Sequence, residues 1–405
     1  MTTMTERDFA LDVVRRLQAA GHVGLWAGGC VRDELLGLAP VDYDIATSAT
    51  PEQVQSLFRR THSFGASFGV VEVLGARAAG GEWLKVEVAT FRTDGTYTDG
   101  RRPDAVVFST PEEDAKRRDF TMNGLFFDPV AEVLHDFVGG RADIAARIVR
   151  AVGNPAERFA EDKLRILRAV RMAARFRFTL DDATAAAVRA MASQVTVVSA
   201  ERIGEELRKI LTHPNRAAGY TLLASLGLRT VLLPEVADGT GAIERLERLP
   251  ERVAFPTALA SVLIDVPAAA AAKICRRFKL SNAETDDTTW LVEQAAIVFE
   301  LASRPHSRSY PILADDRIRE LVLVGRSLRA DASLDELETR LDSHPREHFN
   351  PAPLLTGDQL RAEGFTPGPR FKSILAAVRA AQLDGEATTP EQARAIARQL
   401  WERGP

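Results

Sequence analysis

The sequence predicts an α+β protein: a head of mixed strands and helices, then a remainder built of helices alone. Three observations carry this. Short apolar runs that alternate with polar residues occur only before residue 153. Beyond it, apolar residues recur at helical spacing, interrupted by Gly, Pro and Asp. Between the two lies Asn154-Pro155, a cap residue followed by a proline suited to a first helical turn.

In order, residues 7–20 read as an amphipathic helix with Phe9, Val13 and Leu17 on one face and Gly21 as its stop. A short strand (23–27), the pair Gly28-Gly29 and a short helix bearing Arg32 and Asp33 follow. A second strand is expected over 41–45. Thr50-Pro51-Glu52-Gln53 reads as a capping box that opens a helix to residue 59. Strands are expected at 67–74 and 82–91. Residues 93–104, TDGTYTDGRRPD, form a polar loop with two glycines. Thr110-Pro111-Glu112-Glu113 reads as another capping box, whose helix continues into Arg117-Arg118-Asp119-Phe120-Thr121-Met122-Asn123. A last strand is expected at 132–137. Softer breaks fall near 214, 234–241, 267, 281 and 351–353.

The chain of 405 residues has ordinary apolar and charged fractions. No stretch is long and apolar enough to span a membrane. The first residues are interrupted by acids and lack the apolar core of a secretory signal. Cys30 and Cys275 have no metal-ligand spacing, and free thiols in a cytoplasmic protein are the expectation. A net charge of -4 does not advertise nucleic acid, so local basic patches must carry any such reading.

The chemistry concentrates in GGCVRD and VDYDI. On a strand, Asp42 and Asp44 point to one face. Two close carboxylates repel each other and are best neutralised by a divalent cation. Hard oxygen ligands select magnesium, which keeps substrate phosphates among its ligands. Gly28 and Gly29 let the backbone approach a phosphate, and Arg32 lies one turn beyond them. Glu87 alternates on its strand so that it can face the same cleft or be solvated. Taken singly, Asp-x-Asp is common, Gly-Gly is a turn, and Arg-Arg-Asp is a solvated charge run. Asn123 lies four residues after Asp119, on one face if the helix continues. Near Glu161 begins a helix on which Asp162 and Arg165 share a face, with Arg168 and Arg171 as a basic stripe. Leu164, Leu167 and Val170 or Ala174 form the opposite side.

These stretches, in order, resemble a known family. GGCVRD with VDYDIATSA, the loop DGRRP, RRDFTMN and EDKLRILRAVRMAARF are similar to the class II tRNA nucleotidyltransferases. That family comprises CCA-adding enzymes and related bacterial poly(A) polymerases, in the DNA polymerase beta superfamily. FKLSNAE and the C-terminal PLLTGDQL, GFTPGPRF and AQLDGEATTPEQA also resemble its bacterial members.

The resemblance implies a polymerase beta-like nucleotidyltransferase head (1–153), a helical neck with a nucleotide-templating helix (154–213), a helical body (214–280) and a helical tail for tRNA (281–405). It implies that Asp42 and Asp44 are catalytic and hold Mg2+. Gly28, Gly29, Arg32, Arg118, Asp119, Asn123, Asp162, Arg165, Arg168 and Arg171 would bind the nucleotide. Asp119 would accept from a ribose hydroxyl, and Asp162 with Arg165 would read the base. Cytosine and adenine each present an amino donor beside a ring acceptor, which suits a carboxylate beside a guanidinium. Uracil and guanine present the reverse. Glu201 and Arg202 would brace the templating helix. Arg175, Arg370 and Lys372 are further candidates for RNA phosphate.

The expected activity is addition of CCA to tRNA 3' ends from CTP and ATP, with the acceptor arm as partner. An A-adding or CC-adding enzyme, a poly(A) polymerase, and a non-catalytic RNA-binding protein are the alternatives. The presence of loop 93–104 argues against CC-only addition, and THSFGASFGVVEV lacks the basic, histidine-bearing strand of typical poly(A) polymerases. The histidines make no His-Asp metal cluster of a phosphohydrolase. Monomer and dimer both stay open.

Overall fold

The computed structural model describes residues 4–62, 69–77, 82–94, 106–237 and 239–403. The chain forms two compact units, Met1–Pro234 and Glu235–Pro405.

The first unit opens with α1 (Glu6–Ala19), held at its start by a complete Thr5–Asp8 capping box. β1 (Gly24–Ala27), α2 (Gly29–Leu35), β2 (Asp44–Thr47) and α3 (Pro51–Leu57) follow. Then come β3 (Thr61–His62), β4 (Val70–Arg77), β5 (Trp83–Thr90), β6 (Arg92–Asp94), β7 (Val106–Phe108) and α4 (Pro111–Lys116). β8 (Leu125–Asp128), β9 (Val133–Asp136), α5 (Gly140–Ala146) and β10 (Ile148–Val149) complete the mixed part. Among the described residues the main sheet runs β3-β4-β5-β2-β1-β8-β9. Its β2–β5 pair is parallel and sets Asp44 opposite Glu87. Strand alternation divides the core: Leu25, Ala27 and Ala46 cluster with Phe91, Ala115 and Phe126, while Phe9, Val13 and Leu17 of α1 are buried against the sheet from α1's side.

Helices α6 (Pro155–Glu161), α7 (Leu164–Phe176), α8 (Asp182–Met191), α9 (Ala200–Leu211), α10 (Arg216–Ser225) and α11 (Leu228–Leu232) follow, with the short strand β11 (Thr179–Leu180) after α7. α7 is made of strong helix formers, Leu, Arg, Ala and Met. Leu167 and Val170 are fully buried, each contributing up to about 1.5–3 kcal/mol of hydrophobic stabilisation. The helix ends at Arg177, whose backbone is left-handed at φ +54°.

Several expectations change. β2 begins at Asp44, so Asp42 lies just before the strand, not within it. The helix at 111 stops at Lys116, and residues 121–123 form a separate 3-10 turn. Thr110 accepts from the Glu113 amide, one half of the expected box. β8 was not foreseen: Leu-Phe-Phe-Asp is a short apolar run with no alternation to mark it, although it lies in the sheet between β1 and β9. A strand pair also crosses the composition boundary, since β10 pairs in parallel with β11. The helix expected from Glu161 is broken: α6 ends there, and Asp162 sits between α6 and α7. Loop residues 95–105 lie outside the described residues, although its two flanks pair as the β6–β7 ribbon.

The second unit is helical: α12 (Gly241–Arg248), α13 (Phe255–Leu263), α14 (Ala268–Arg277), α15 (Asn282–Gln294), α16 (His306–Leu313), α17 (Ile318–Leu328), α18 (Ala332–Ser343), α19 (Arg346–Phe349), α20 (Gly357–Ala362), α21 (Pro369–Leu383) and α22 (Pro390–Glu402). Its last three helices enclose their own core, Leu360, Phe365, Phe371, Ile374, Val378 and Ala397. Among the described residues no helix is long and apolar enough to cross a membrane.

Candidate active site

A cleft of about 590 Å³ in the first unit is lined by Gly28, Gly29, Arg32, Asp42, Asp44, Arg118, Asp119, Asn123, Asp162, Arg165, Arg168 and Arg171. The residues that the resemblance assigned to the metal and the nucleotide therefore line one cleft, whereas Glu87, Glu201, Arg370 and Lys372 do not line it. Arg117, Leu164, Met172, Arg175 and Arg202 complete the lining.

The glycine turn is built for close approach. Gly28 holds φ +69° before α2, where a side chain is strained. A Cβ there would also meet Arg118 Nη1 at 2.5 Å. Beside it, the buried Arg32 donates to Asp33 Oδ1 (2.7 Å) and Asn123 Oδ1 (2.6 Å). Its guanidinium lies 4.6 Å from the Phe176 ring centroid, and Arg175 lies 4.9 Å from the same ring.

Two carboxylate populations lie in and behind this cleft. Asp44 is pushed up to about 6, first by desolvation, then by the charges of Asp42 and Glu87, with Arg118 opposing. The other acids are satisfied by arginine. Burial alone would raise Asp119, but Arg168 and the amide of Asn123 bring it down to about 2. Arg168 reaches Asp119 Oδ2 at 2.6 Å, and Asn123 Nδ2 donates to Oδ1 at 3.0 Å. The Asp119–Asn123 contact thus forms without the continuous helix expected of it. Arg171 donates to the buried Glu206 at 2.7 Å, and Arg175 reaches Asp33 at 3.3 Å. Against its burial, Asp114 is held below the usual carboxylate range by Arg118 and Arg117.

Asp162 and Arg165 do not pair with each other across a helical turn. Asp162 accepts from the Leu164 amide at 3.0 Å, capping α7, and from Arg202 at 2.6 Å. Arg165 donates to Glu161 at 2.5 Å, and to the main-chain carbonyls of Arg158 (3.0 Å) and Arg117 (3.2 Å). Arg202 therefore braces the helix by gripping Asp162. Arg117, Asp33, Asp114, Glu161 and Glu206 went unrecognised as partners of the cleft arginines. Only Asp114 and Glu161 left a sequence signal, lying three or four residues before the arginines they hold. In the second unit, Arg370 turns inward over Trp401 and bonds the carbonyls of Leu400 and Trp401, so it is a packing residue.

No three described His, Cys, Asp or Glu side chains meet as a ready metal cage. Asp42 and Asp44 offer a half-shell of hard oxygens, which suits a metal whose remaining ligands are water and phosphate. Asp44 is raised by desolvation and by the negative charges of Asp42 and Glu87, which a divalent cation would offset. Both cysteines are buried and free, and burial pushes the Cys30 thiol up to about 12.

Fold and cleft define a nucleotidyltransferase. A "Poly A polymerase head domain" model matches residues 25–150, and a "Probable RNA and SrmB- binding site of polymerase A" model matches residues 177–239. The chain is 34% identical over 396 residues to the CCA-adding enzyme of Geobacillus thermodenitrificans, covering 93% of each chain. It is 34% identical over 394 residues to that of Streptococcus sanguinis, covering 95% of each. The structure of the Bacillus stearothermophilus CCA-adding enzyme in complex with CTP superimposes with a TM-score of 0.80 at 28% identity, covering 98% of this chain and 97% of that one. The chain belongs to the CCA-adding enzymes, which are tRNA nucleotidyltransferases needing a divalent metal.

Proposed function

We propose that this protein adds C, C and A to the 3' ends of tRNA from CTP and ATP, without a nucleic-acid template, as a cytoplasmic enzyme using Mg2+. The observation that carries this is the convergence of the acidic pair, the glycine turn and the arginine row in one cleft, in a chain 34% identical to CCA-adding enzymes over most of its length.

Asp42 and Asp44 would hold the metal. When bound, magnesium in such a two-metal site makes the RNA 3'-hydroxyl a better nucleophile and offsets charge on the triphosphate and leaving pyrophosphate. The chain's own groups do the rest. Gly28 and Gly29 admit the phosphates, while Arg32 and Arg118 face them. Asp119, kept ionised by Arg168, accepts a hydrogen bond from the ribose. Asp162 and Arg165 read the base edge. A mismatched base would leave unpaired polar groups at about 1–3 kcal/mol each. In this reading the head (1–153), neck (154–213), body (214–280) and tail (281–405) have the roles the resemblance implies, with the tail taking the tRNA.

Purified protein incubated with tRNA ending at its discriminator base tests this. CTP alone should add two residues, CTP with ATP three, and UTP or GTP none. A run of A residues with ATP alone would make the protein a poly(A) polymerase. An absence of incorporation with retained RNA binding would make it a non-catalytic RNA-binding protein.

A further inference from the structure

Asp114 is 2% exposed and does not line the cleft, yet it holds the parts that do. Its Oδ2 accepts from Arg118 Nε (3.2 Å) and Nη2 (3.1 Å). Its Oδ1 accepts from Arg117 Nε at 2.8 Å and from the Arg92 amide, at the start of β6, at 3.3 Å. Arg118 is also held by the Asn123 carbonyl, which accepts from Nη1 at 3.0 Å, and by the Phe126 ring, whose centroid lies 4.8 Å from its guanidinium carbon. That Nη1 is the atom filling the space a Gly28 side chain would need. On the other branch, the Arg117 carbonyl accepts from Arg165 Nη2 at 3.2 Å. One buried carboxylate is therefore bonded to the arginine beside the glycine turn and to the residue whose peptide fixes Arg165.

We propose that Asp114 is a positioning residue that sets both ends of the nucleotide site: Arg118 for the triphosphate and, through the Arg117 peptide, Arg165 for the base. The inference rests on the cleft being the nucleotide site. Its physical content is orientation. A guanidinium held on two sides by a buried carboxylate and a carbonyl loses little entropy when it meets a phosphate. Without the carboxylate charge, Arg118 keeps its own charge and its contacts with the Asn123 carbonyl and the Phe126 ring, but its Nε and Nη2 side is no longer fixed.

The test uses the full chain and equilibrium binding of CTP and CMP, which differ only in the phosphates Arg118 is assigned to meet. Wild type should bind CTP more tightly than CMP. Asp114→Asn keeps the size and an acceptor for the Arg92 amide, and it should shrink that advantage by about tenfold. Arg118→Ala should remove most of the advantage, and adding Asp114→Asn to it should change the ratio by less than about twofold. Single-turnover transfer should show the preference for CTP over UTP narrowing by about threefold in Asp114→Asn, through Arg165. Equal weakening of CTP and CMP, or a full Asp114→Asn effect in the Arg118→Ala background, would leave Asp114 a purely structural residue. Should the amide variant not fold, Asp114→Glu, which moves the charge by one methylene, must shrink the same ratio or the inference falls. If wild type binds neither nucleotide, the reading of the cleft fails instead.

Discussion

Asp44 and Asp119 are the same residue type in the same cleft, yet they are driven in opposite directions. Asp44, at the exposed start of β2 beside Asp42 and Glu87, is pushed up to about 6. Asp119, more deeply buried, is drawn down to about 2 because Arg168 and Asn123 meet it. Burial alone would have raised both. The difference teaches that the protein completes one acidic group internally and leaves the other for something that arrives. The completed acids, Asp33, Asp114, Asp119 and Glu206, hold arginines in place. The incomplete pair marks where charge is missing.

The largest effect should come from removing the incomplete pair. Asp42→Ala or Asp44→Ala should lower single-turnover transfer by on the order of 10³-fold or more, while the melting temperature in metal-free buffer holds or rises. Near-normal turnover in magnesium by either variant would end the metal assignment.

Next in size is base selection. Asp162→Ala and Arg165→Ala should each slow CTP and ATP transfer by about 10–100-fold and narrow the preference over UTP. Asp162→Asn keeps the α7 cap and separates that contribution from base reading. Rates with all four nucleotides decide it: an equal slowing of every one would reduce the two residues to structural supports.

The pH dependence of stability separates the two acids directly. A carboxyl whose folded pKa is raised stabilises the fold at low pH and loses that contribution as pH rises through the folded value. In metal-free buffer, Asp44→Asn should therefore raise the melting temperature above pH 6, with the gain fading below about pH 4. Asp119 is the reverse. Its contribution of about 2 kcal/mol is present above pH 4 and lost as pH falls toward 2, so Asp119→Asn should cost stability at neutral pH and little in acid. Thermal melts from pH 3 to 8 would show the two curves bending oppositely. Parallel curves would contradict the contrast.

The smallest effect concerns RNA phosphate. Arg168, Arg171 and Arg175 each hold a carboxylate, so less free positive charge faces RNA than the sequence suggests. Arg175, the least tightly bonded of the three, should reduce the salt slope of tRNA binding by about 0.7–0.9 when changed to Ala. An unchanged slope would make it purely a partner of Asp33.

The sequence made the members of the cleft legible but not their bonding. Gly28, Asp42, Asp119 and Arg165 sit in compact motifs whose residue types announce phosphate, metal and base chemistry. The arginine partners were hidden because they come from distant segments: Arg175 meets Asp33 across 142 positions, and Arg168 meets Asp119 across 49. The break at Asp162 was hidden for a local reason. EDKLRILRAV contains no Gly or Pro, and the interruption is held by the Asp162 side chain capping the Leu164 amide. In the fold, patterned segments such as α1 and β5 were foreseen within a residue or two. β8 was not, because Leu125-Phe126-Phe127 is a short apolar run with no polar residue between to give an alternation.

The arginine row of α7 also has consequences for how this chain can change length. Residues 165, 168, 171 and 175 keep their partners only because they keep their phase around one uninterrupted helix. A substitution alters one bond. A single inserted residue after Arg165 would advance everything beyond it by about 1.5 Å and turn it by about 100°. The contacts with Asp119, Glu206 and Asp33 would be lost together, and the apolar face that buries Leu167 and Val170 would rotate toward the cleft. This helix should therefore accept many single replacements and almost no insertions or deletions.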